Sequence, residues 1–311
     1  MPRLNSSKLL FLVLLAPIEC VAGDESAGEP LKPDSPTIAE VAEQTSTSNV
    51  DPQSAAKHNE AGHRSKTSPL PQAHAHNDYR HQNPLRDALQ HGFCSVEADI
   101  FLVDGQLLVG HDRSELREHR TLQSLYLDPL SRRANRNGGR VYKDGPRFTL
   151  LVDIKSEGAS TYVKLREVLA KFPQLCSSVD NERLTIRAID VVISGNRPTR
   201  QIAATMPRRT FVDGRINELN AETSAQLVPL VSDNWSRFFL WRGEGPMPDS
   251  ERTQLQDLVE QVHGQGRRLR FWATPDDPQI WKELHAAGVD LIGTDDLGAL
   301  QRFLTESEAR E

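Results

Sequence analysis

Cysteine is scarce: three in 311 residues are too few for a disulfide framework or a cysteine-rich zinc module. Positive charge is not in excess either. Lys and Arg total 37 against 43 Asp and Glu, for a formal net charge of −6 and a pI near 6.0. Nucleic-acid proteins concentrate basic residues on one face, so no nucleic-acid partner is expected. Long apolar runs are absent beyond residue 23, where nothing approaches the ~18–20 residues of a membrane span. No transmembrane span is therefore expected in a mature chain. What remains is a soluble globular protein with an attached tail, large enough for one big domain or two small ones.

The tail comes first. Arg3 and Lys8 lead into an apolar run at 9–17 (LLFLVLLAP), and the small residues Val21, Ala22 and Gly23 follow. A basic start, a short apolar core and a small-residue exit describe a secretory signal peptide over 1–23. The protein is expected to be exported: secreted, periplasmic or at the cell surface. A buried N-terminal helix or an uncleaved anchor suits the short run and the hydrophilic sequence after it less well. Cys20 does not make a lipobox, because Ile18 and Glu19 stand where a small residue is needed. Residues 24–71 contain no Phe, Trp or Tyr and carry eight acidic against four basic residues, which is most of the net charge. Such a stretch buries too little apolar surface to offset the entropy of ordering it and is read as a disordered linker.

From residue 72 the texture changes. Short β-rich runs at 72–77, 95–102, 148–155, 188–194, 210–213, 238–241, 269–273 and 291–294 alternate with helical patterns. The helices are expected at 84–92, 161–172, 199–205, 222–230, 252–263, 278–287 and 297–304. Eight strands alternating with helices suit an α/β fold, a (β/α)8 TIM-type barrel over 72–306, with an open doubly wound sheet as the alternative. After the second strand, Asp104-Gly105 predicts a tight turn and a β-hairpin over 100–109. The long segment from His111 to Phe148 carries Arg132, Arg133, Arg136 and Arg140. Insertions of this kind build active-site walls, and a solvated loop accounts for the arginines.

In a barrel the chemistry sits where strands end. The first strand delivers His74, His76 and Asn77, the second Glu97 and Asp99, its hairpin His111, and the third Asp153 and Lys155. Side chains two apart on a strand share a face. Glu97 with Asp99, Asp153 with Lys155 and His74 with His76 can thus point inward together. Any one acidic residue fits a surface salt bridge, but acids inside strongly apolar strands do not. Three crowded carboxylates stay ionised only around a cation, and their hard oxygens favour Mg2+ or Ca2+. The His-x-His pair also fits a zinc hydrolase of the amidohydrolase type. That chemistry needs histidines from later strands, whereas His263 and His285 fall in predicted helices.

These motifs carry a resemblance. HAHNDY, SVEADIFLVDGQLLVGH and LLVDIKS resemble the PLC-like phosphodiesterase superfamily, which includes glycerophosphodiester phosphodiesterases and sphingomyelinase D. Within it they are most similar to the family of altered inheritance of mitochondria protein 6. The resemblance spans roughly 72–304. It implies a TIM-type barrel and metal-dependent cleavage of a small or lipid-derived phosphodiester through a cyclic phosphate. By position it makes Glu97, Asp99 and Asp153 ligands of one divalent cation, His76 and His111 an acid–base pair, and Lys155 a phosphate contact. The His-Arg-Gly start of glycerophosphodiesterases is absent, which leaves Asn77 in the place of the guanidinium. Spacing fits either His74 or His76 to the family's first histidine.

The later strands offer Asn196, Arg215 and Trp241 as pocket residues, Arg215 as an anion contact and Trp241 as an apolar wall at the end of the sixth strand. A turn asparagine, a salt-bridged arginine and a core aromatic are the competing readings. Cys94 and Cys176 are expected as buried thiols rather than a disulfide. Two alternatives to the phosphodiesterase stand beside it: a barrel that binds a phosphorylated ligand without turnover, and the zinc hydrolase. The complete set of His76, Glu97, Asp99, His111, Asp153 and Lys155 weighs against the first, and the missing late histidines against the second.

Overall fold

Runs such as FTLLVDI and IDVVISG are almost continuously apolar, the pattern of parallel strands covered on both faces. In the computed structural model, which describes residues 67–219 and 223–309, they become barrel staves. The strands are β1 (Leu70–Ala75), β2 (Phe93–Val103), β3 (Gln106–Val109), β4 (Phe148–Ile154), β5 (Ser178–Asp180), β6 (Arg183–Thr185), β7 (Ile189–Gly195), β8 (Phe211–Gly214), β9 (Leu230–Asn234), β10 (Arg268–Trp272) and β11 (Leu291–Thr294). The helices are α1 (Arg86–Gln90), α2 (Asp128–Arg136), α3 (Gly158–Leu169), α4 (Thr199–Ala203), α5 (Asp249–His263), α6 (Pro278–Ala287) and α7 (Leu297–Glu308).

Eight strands pair in parallel in the order β1-β11-β10-β9-β8-β7-β4-β2, and β1 pairs with β2 to close the ring. This is the (β/α)8 barrel rather than the open sheet. β3 folds back antiparallel on β2, with Ile100 opposite Val109. Asp104 (φ 47°) and Gly105 (φ 74°) turn the chain between them in the left-handed region that a two-residue hairpin demands. β5 and β6 form a separate small hairpin before β7.

The core has two layers of contacts. Strand residues facing outward, such as Val96, Ala98, Leu150, Val152, Val191 and Ile193, pack against the helices. Leu151, Val192, Phe211, Leu230 and Leu291 form a second cluster. Period-2 alternation puts Leu151 on the same inward face as Asp153, so this cluster floors the barrel interior beneath the acidic residues. Cys94 and Cys176 are buried free thiols, as expected.

Several expectations need correction. The sixth stave is Leu230–Asn234, not 238–241, and residues 223–229 are turn rather than helix. LVSDN reads as a loop because Ser232 and Asp233 are polar, yet both are buried. The aromatic run 238–241 that mimics a strand follows a 3-10 turn, Trp235–Arg237, and Phe238 and Phe239 stack with Trp235 and Phe271 instead of pairing. The segment after His111 is a loop only in part: a π-turn at Gln123–Leu127 runs into α2, which carries Arg132, Arg133 and Arg136, while Arg140 lies in the irregular stretch beyond it. β1 starts at Leu70, two residues inside the expected linker. The signal peptide and the linker up to residue 66 lie outside the described residues. Among the described residues no helix is long and apolar enough to cross a membrane.

Candidate active site

β2 and β4 pair in register, with Asp99 opposite Asp153. Glu97 stands two residues before Asp99 on the same face, so three carboxylates meet at the carboxyl ends of adjacent strands. One oxygen of each lies within 4.8 Å of the others, and this is the one group among the described residues that could hold a metal ion. Glu97 is 6% exposed and Asp99 0%. Asp99 Oδ1 and Asp153 Oδ1 are buried with no hydrogen-bond partner. Unpaired buried carboxylate oxygens are costly, and a cation between them would satisfy both. The donor set therefore fits a hard divalent ion. Gly195 (φ 65°) makes room for it: a Cβ there would collide with Asp153 Oδ1 and sit 2.6 Å from the Ile154 carbonyl.

Two basic side chains offset part of this charge. Lys155 Nζ donates to Asp153 Oδ2 at 3.1 Å and lies 3.2 Å from Asp99 Oδ2. Arg270, from β10, is buried and its Nη2 donates to Glu97 Oε2 at 2.7 Å. Burial pushes the Glu97 carboxyl up, but Arg270 and His74 outweigh it and hold the group below the usual carboxylate range. Asp99 goes the other way: burial, then the charge of Glu97, pushes it up to about 6. Burial also raises Asp153, against the pull of Lys155.

The two histidines of β1 part company. His74 is 0% exposed; its Nδ1 is 2.7 Å from Ser95 Oγ and its Nε2 3.3 Å from Glu97 Oε2. Burial, helped by Arg270, lowers its pKa to about 4, so it is a neutral interior group bracing Glu97. His76 opens to the mouth of the barrel, its Nδ1 2.9 Å from Asp295 Oδ1 at the end of β11. Burial lowers its pKa, but the Asp295 hydrogen bond and the charges of Glu97 and Asp295 raise it more, for a net upward shift. A carboxylate on Nδ1 leaves Nε2 as the nitrogen not held by an acid, with Asn77 Nδ2 3.2 Å from it. His111 is held the same way, Nδ1 3.1 Å from Asp99 Oδ2.

Tyr79 was not singled out by sequence reasoning. Its buried hydroxyl lies 2.6 Å from Asn77 Oδ1 and 2.8 Å from Asp99 Oδ2, which it can serve as donor, and 3.3 Å from His111 Nδ1. It ties three candidate groups together. Arg270 and the orienting role of Asp295 were missed as well. An arginine inside the apolar run RLRFW was the available signal for Arg270. A cavity of about 210 Å³ opens beside His76, lined by Arg270, Trp272, Asp276, Thr294 and Asp295.

The later-strand candidates make their hydrogen bonds elsewhere than to these carboxylates. Asn196 is exposed, and its Nδ2 donates to the Ser156 carbonyl, linking the loops after β4 and β7. Arg215 is committed to buried Asp213, Nη1 to Oδ2 at 2.8 Å. Trp241 is 8% exposed and packed in the core; it does not end a strand, and its Nε1 donates to the Glu244 carbonyl.

Two family models match the chain. One, the AIM6-like phosphodiesterase domain, covers residues 64–213; the other, the glycerophosphoryl diester phosphodiesterase family, covers 268–298. Altered inheritance of mitochondria protein 6 of Eremothecium gossypii is 30% identical over 270 residues, 75% of this chain and 69% of that protein. Its homolog in Arthroderma benhamiae is 28% identical over 269 residues, 76% of this chain and 84% of that protein. The crystal structure of a glycerophosphodiester phosphodiesterase from Parabacteroides distasonis superposes with a TM-score of 0.45 at 18% identity, over 78% of this chain and 99% of that one.

Proposed function

The chain belongs to the altered inheritance of mitochondria protein 6 family, and from that premise we propose that it is a metal-dependent phosphoric diester hydrolase. One observation carries the reading: three carboxylates, two buried and one half-buried, converge with two of their oxygens unpartnered, beside a lysine and two carboxylate-oriented histidines. Glu97, Asp99 and Asp153 would hold one divalent ion, Mg2+ or Ca2+. When bound, such an ion supplies positive charge against the phosphoryl oxygens as negative charge builds there.

The chain's own groups do the rest. Lys155 offers its ammonium to a phosphate oxygen. His76, whose raised pKa keeps it protonated further into the neutral range, suits protonation of the leaving oxygen. His111 takes the proton from the attacking hydroxyl. A substrate hydroxyl close to phosphorus attacks first, giving a cyclic phosphate, so the substrate is a small or lipid-derived diester with a neighbouring hydroxyl. His74 and Asn77 shape the floor around Glu97 and His76. The leader at 1–23 supports export.

The test is hydrolysis of a panel of glycero- and lysophosphodiesters, each with a hydroxyl next to the phosphodiester, by the purified protein. It is run with EDTA and then with Mg2+, Ca2+, Mn2+ or Zn2+. Activity is expected to vanish with EDTA, return with Mg2+ or Ca2+, and be missing from Glu97→Ala, His76→Ala and His111→Ala. A second reading, a barrel that binds a phosphorylated ligand without turnover, draws on the pairing of Lys155 and Arg270 with the carboxylates. Saturable binding of a panel member with no turnover in any metal would favour it.

A further inference from the structure

Away from the carboxylates lies a larger cavity, about 600 Å³, in the groove between α1 and α2. Its lining includes four arginines, Arg86, Arg132, Arg133 and Arg136, and no acidic residue. The helix explains how they meet. Positions 129, 132, 133 and 136 follow the i, i+3, i+4, i+7 stripe of one helical face, while Leu130 and Ala134 turn into the core. The face that borders the groove is Pro-Arg-Arg-Arg, with Arg132 and Arg136 exposed.

Among the described residues, none of the four has a carboxylate within ion-pair distance. The nearest acid in sequence on α1, Asp87, is engaged by Asn83. Arg133 stacks on Tyr142 at 5.2 Å and donates Nε to the Val141 carbonyl, so its guanidinium is held in place. The carbonyl end of α2 favours Arg133 and Arg136, but Arg86 is the first residue of α1, the end where a helix disfavours a cation. Like charges at helical spacing repel. Arg86, Arg132 and Arg136 are exposed around the rim and Arg133 is half-buried, so four guanidiniums border one concavity with no acid in its lining and offer an anion complementary charge.

We propose that this groove binds a soluble organic molecule carrying two or more phosphate groups, at a site separate from the candidate active site. Guanidinium forks match phosphate oxygens in pairs, and four of them need more negative charge than one phosphate brings. The pocket's size suits a small ligand rather than a flat bilayer. It shares no lining residue with the cavity beside His76, and it reaches Thr67, ahead of the start of β1, whereas the carboxylates stand at the strands' far ends.

Isothermal titration of the full protein with pyrophosphate and with inositol hexakisphosphate tests this, in metal-free buffer at about 0.15 M salt. Wild type and Asp153→Asn are expected to bind one molecule per chain with equal affinity. The triple variant Arg86→Gln, Arg132→Gln, Arg136→Gln should bind at least about tenfold more weakly, with an unliganded melting temperature no lower than wild type. Should the triple variant fail to fold, Arg132→Gln alone is expected to weaken binding by roughly threefold. Equal affinity in the arginine variants, loss of binding in Asp153→Asn, or no binding of either probe overturns the proposal. So does arginine-dependent sedimentation with phosphatidic acid vesicles when neither soluble probe binds, which would make the groove a membrane contact. Because the probes are titrated without metal and without turnover, failure here leaves the phosphodiesterase reading untouched.

Discussion

Replacing Asp78 with asparagine should stabilise the protein in neutral solution and leave it unchanged in acid. Asp78 is buried just after β1. Its Oδ2 accepts the Leu85 N–H at 2.6 Å and the Tyr126 hydroxyl at 2.9 Å, and its Oδ1 has no partner. Burial pushes its carboxyl up to about 7, against the pull of those two hydrogen bonds. The unfolded chain releases the same proton near ~3.9. Between these values the folded state holds one more proton than the unfolded state, so stability is full below the unfolded pKa and falls as pH rises toward the folded one. The slope is at most ~1.4 kcal/mol per pH unit, and three units set a ceiling of ~4 kcal/mol. Asparagine presents one oxygen to the same two donors and carries no charge, much as the protonated acid does. The variant-minus-wild-type difference should therefore be near zero at about pH 4 and grow toward that ceiling by about pH 8. For a domain of this size each kcal/mol moves the melting temperature by roughly 2–4 °C, well within calorimetric reach. Urea midpoints at both pH values give a second measure. Parallel pH curves, or an asparagine variant less stable than wild type at the alkaline end, would refute the reasoning.

Gly195→Ala should push Asp153 out of the cluster, abolishing cation-dependent activity and cation-induced thermal stabilisation while the circular dichroism spectrum stays wild type. Asp295→Asn should lower the pKa of His76, so the alkaline limb of the kcat/KM profile moves to lower pH; an unmoved limb would remove His76 as the acid. Tyr79→Phe should lower kcat by about 10–100-fold with KM little changed, because it loosens Asp99 and His111 without touching substrate. A saturating divalent ion at about a hundred times its Kd should add ~2.7 kcal/mol of stability, and Asp153→Asn should lose that gain.

Much of the centre was legible because strand alternation is a local rule. Glu97 and Asp99, or Asp153 and Lys155, declare a shared face two residues apart, and apolar neighbours declare the strand. What could not be read depends on distance. Arg270 meets Glu97 across 173 positions, and nothing near either residue announces the pair. Tyr79 meets Asp99 and His111 only because β2 lies beside β1 and β3 folds back on β2. The sixth stave misled for a different reason: buried Ser232 and Asp233 break its apolar pattern on both faces, so Leu230–Asn234 shows weak hydrophobic patterning, while the aromatic residues that follow satisfy strand propensity and then pack as a cluster. Propensity gave way to burial of aromatic area there. The choice between His74 and His76 also needed the fold, since both share a face and only depth in the barrel separates them.

The closure of β1 against β11 makes the site a product of both ends of the barrel. The acidic centre is built by β2 and β4, which lie near one another in the first half of the chain. The orientation of His76 waits on Asp295, 219 residues later. Arg270 of β10, which meets Glu97, is a late arrival as well. On the reading proposed above, proton transfer by His76 therefore depends on the last staves closing against the first.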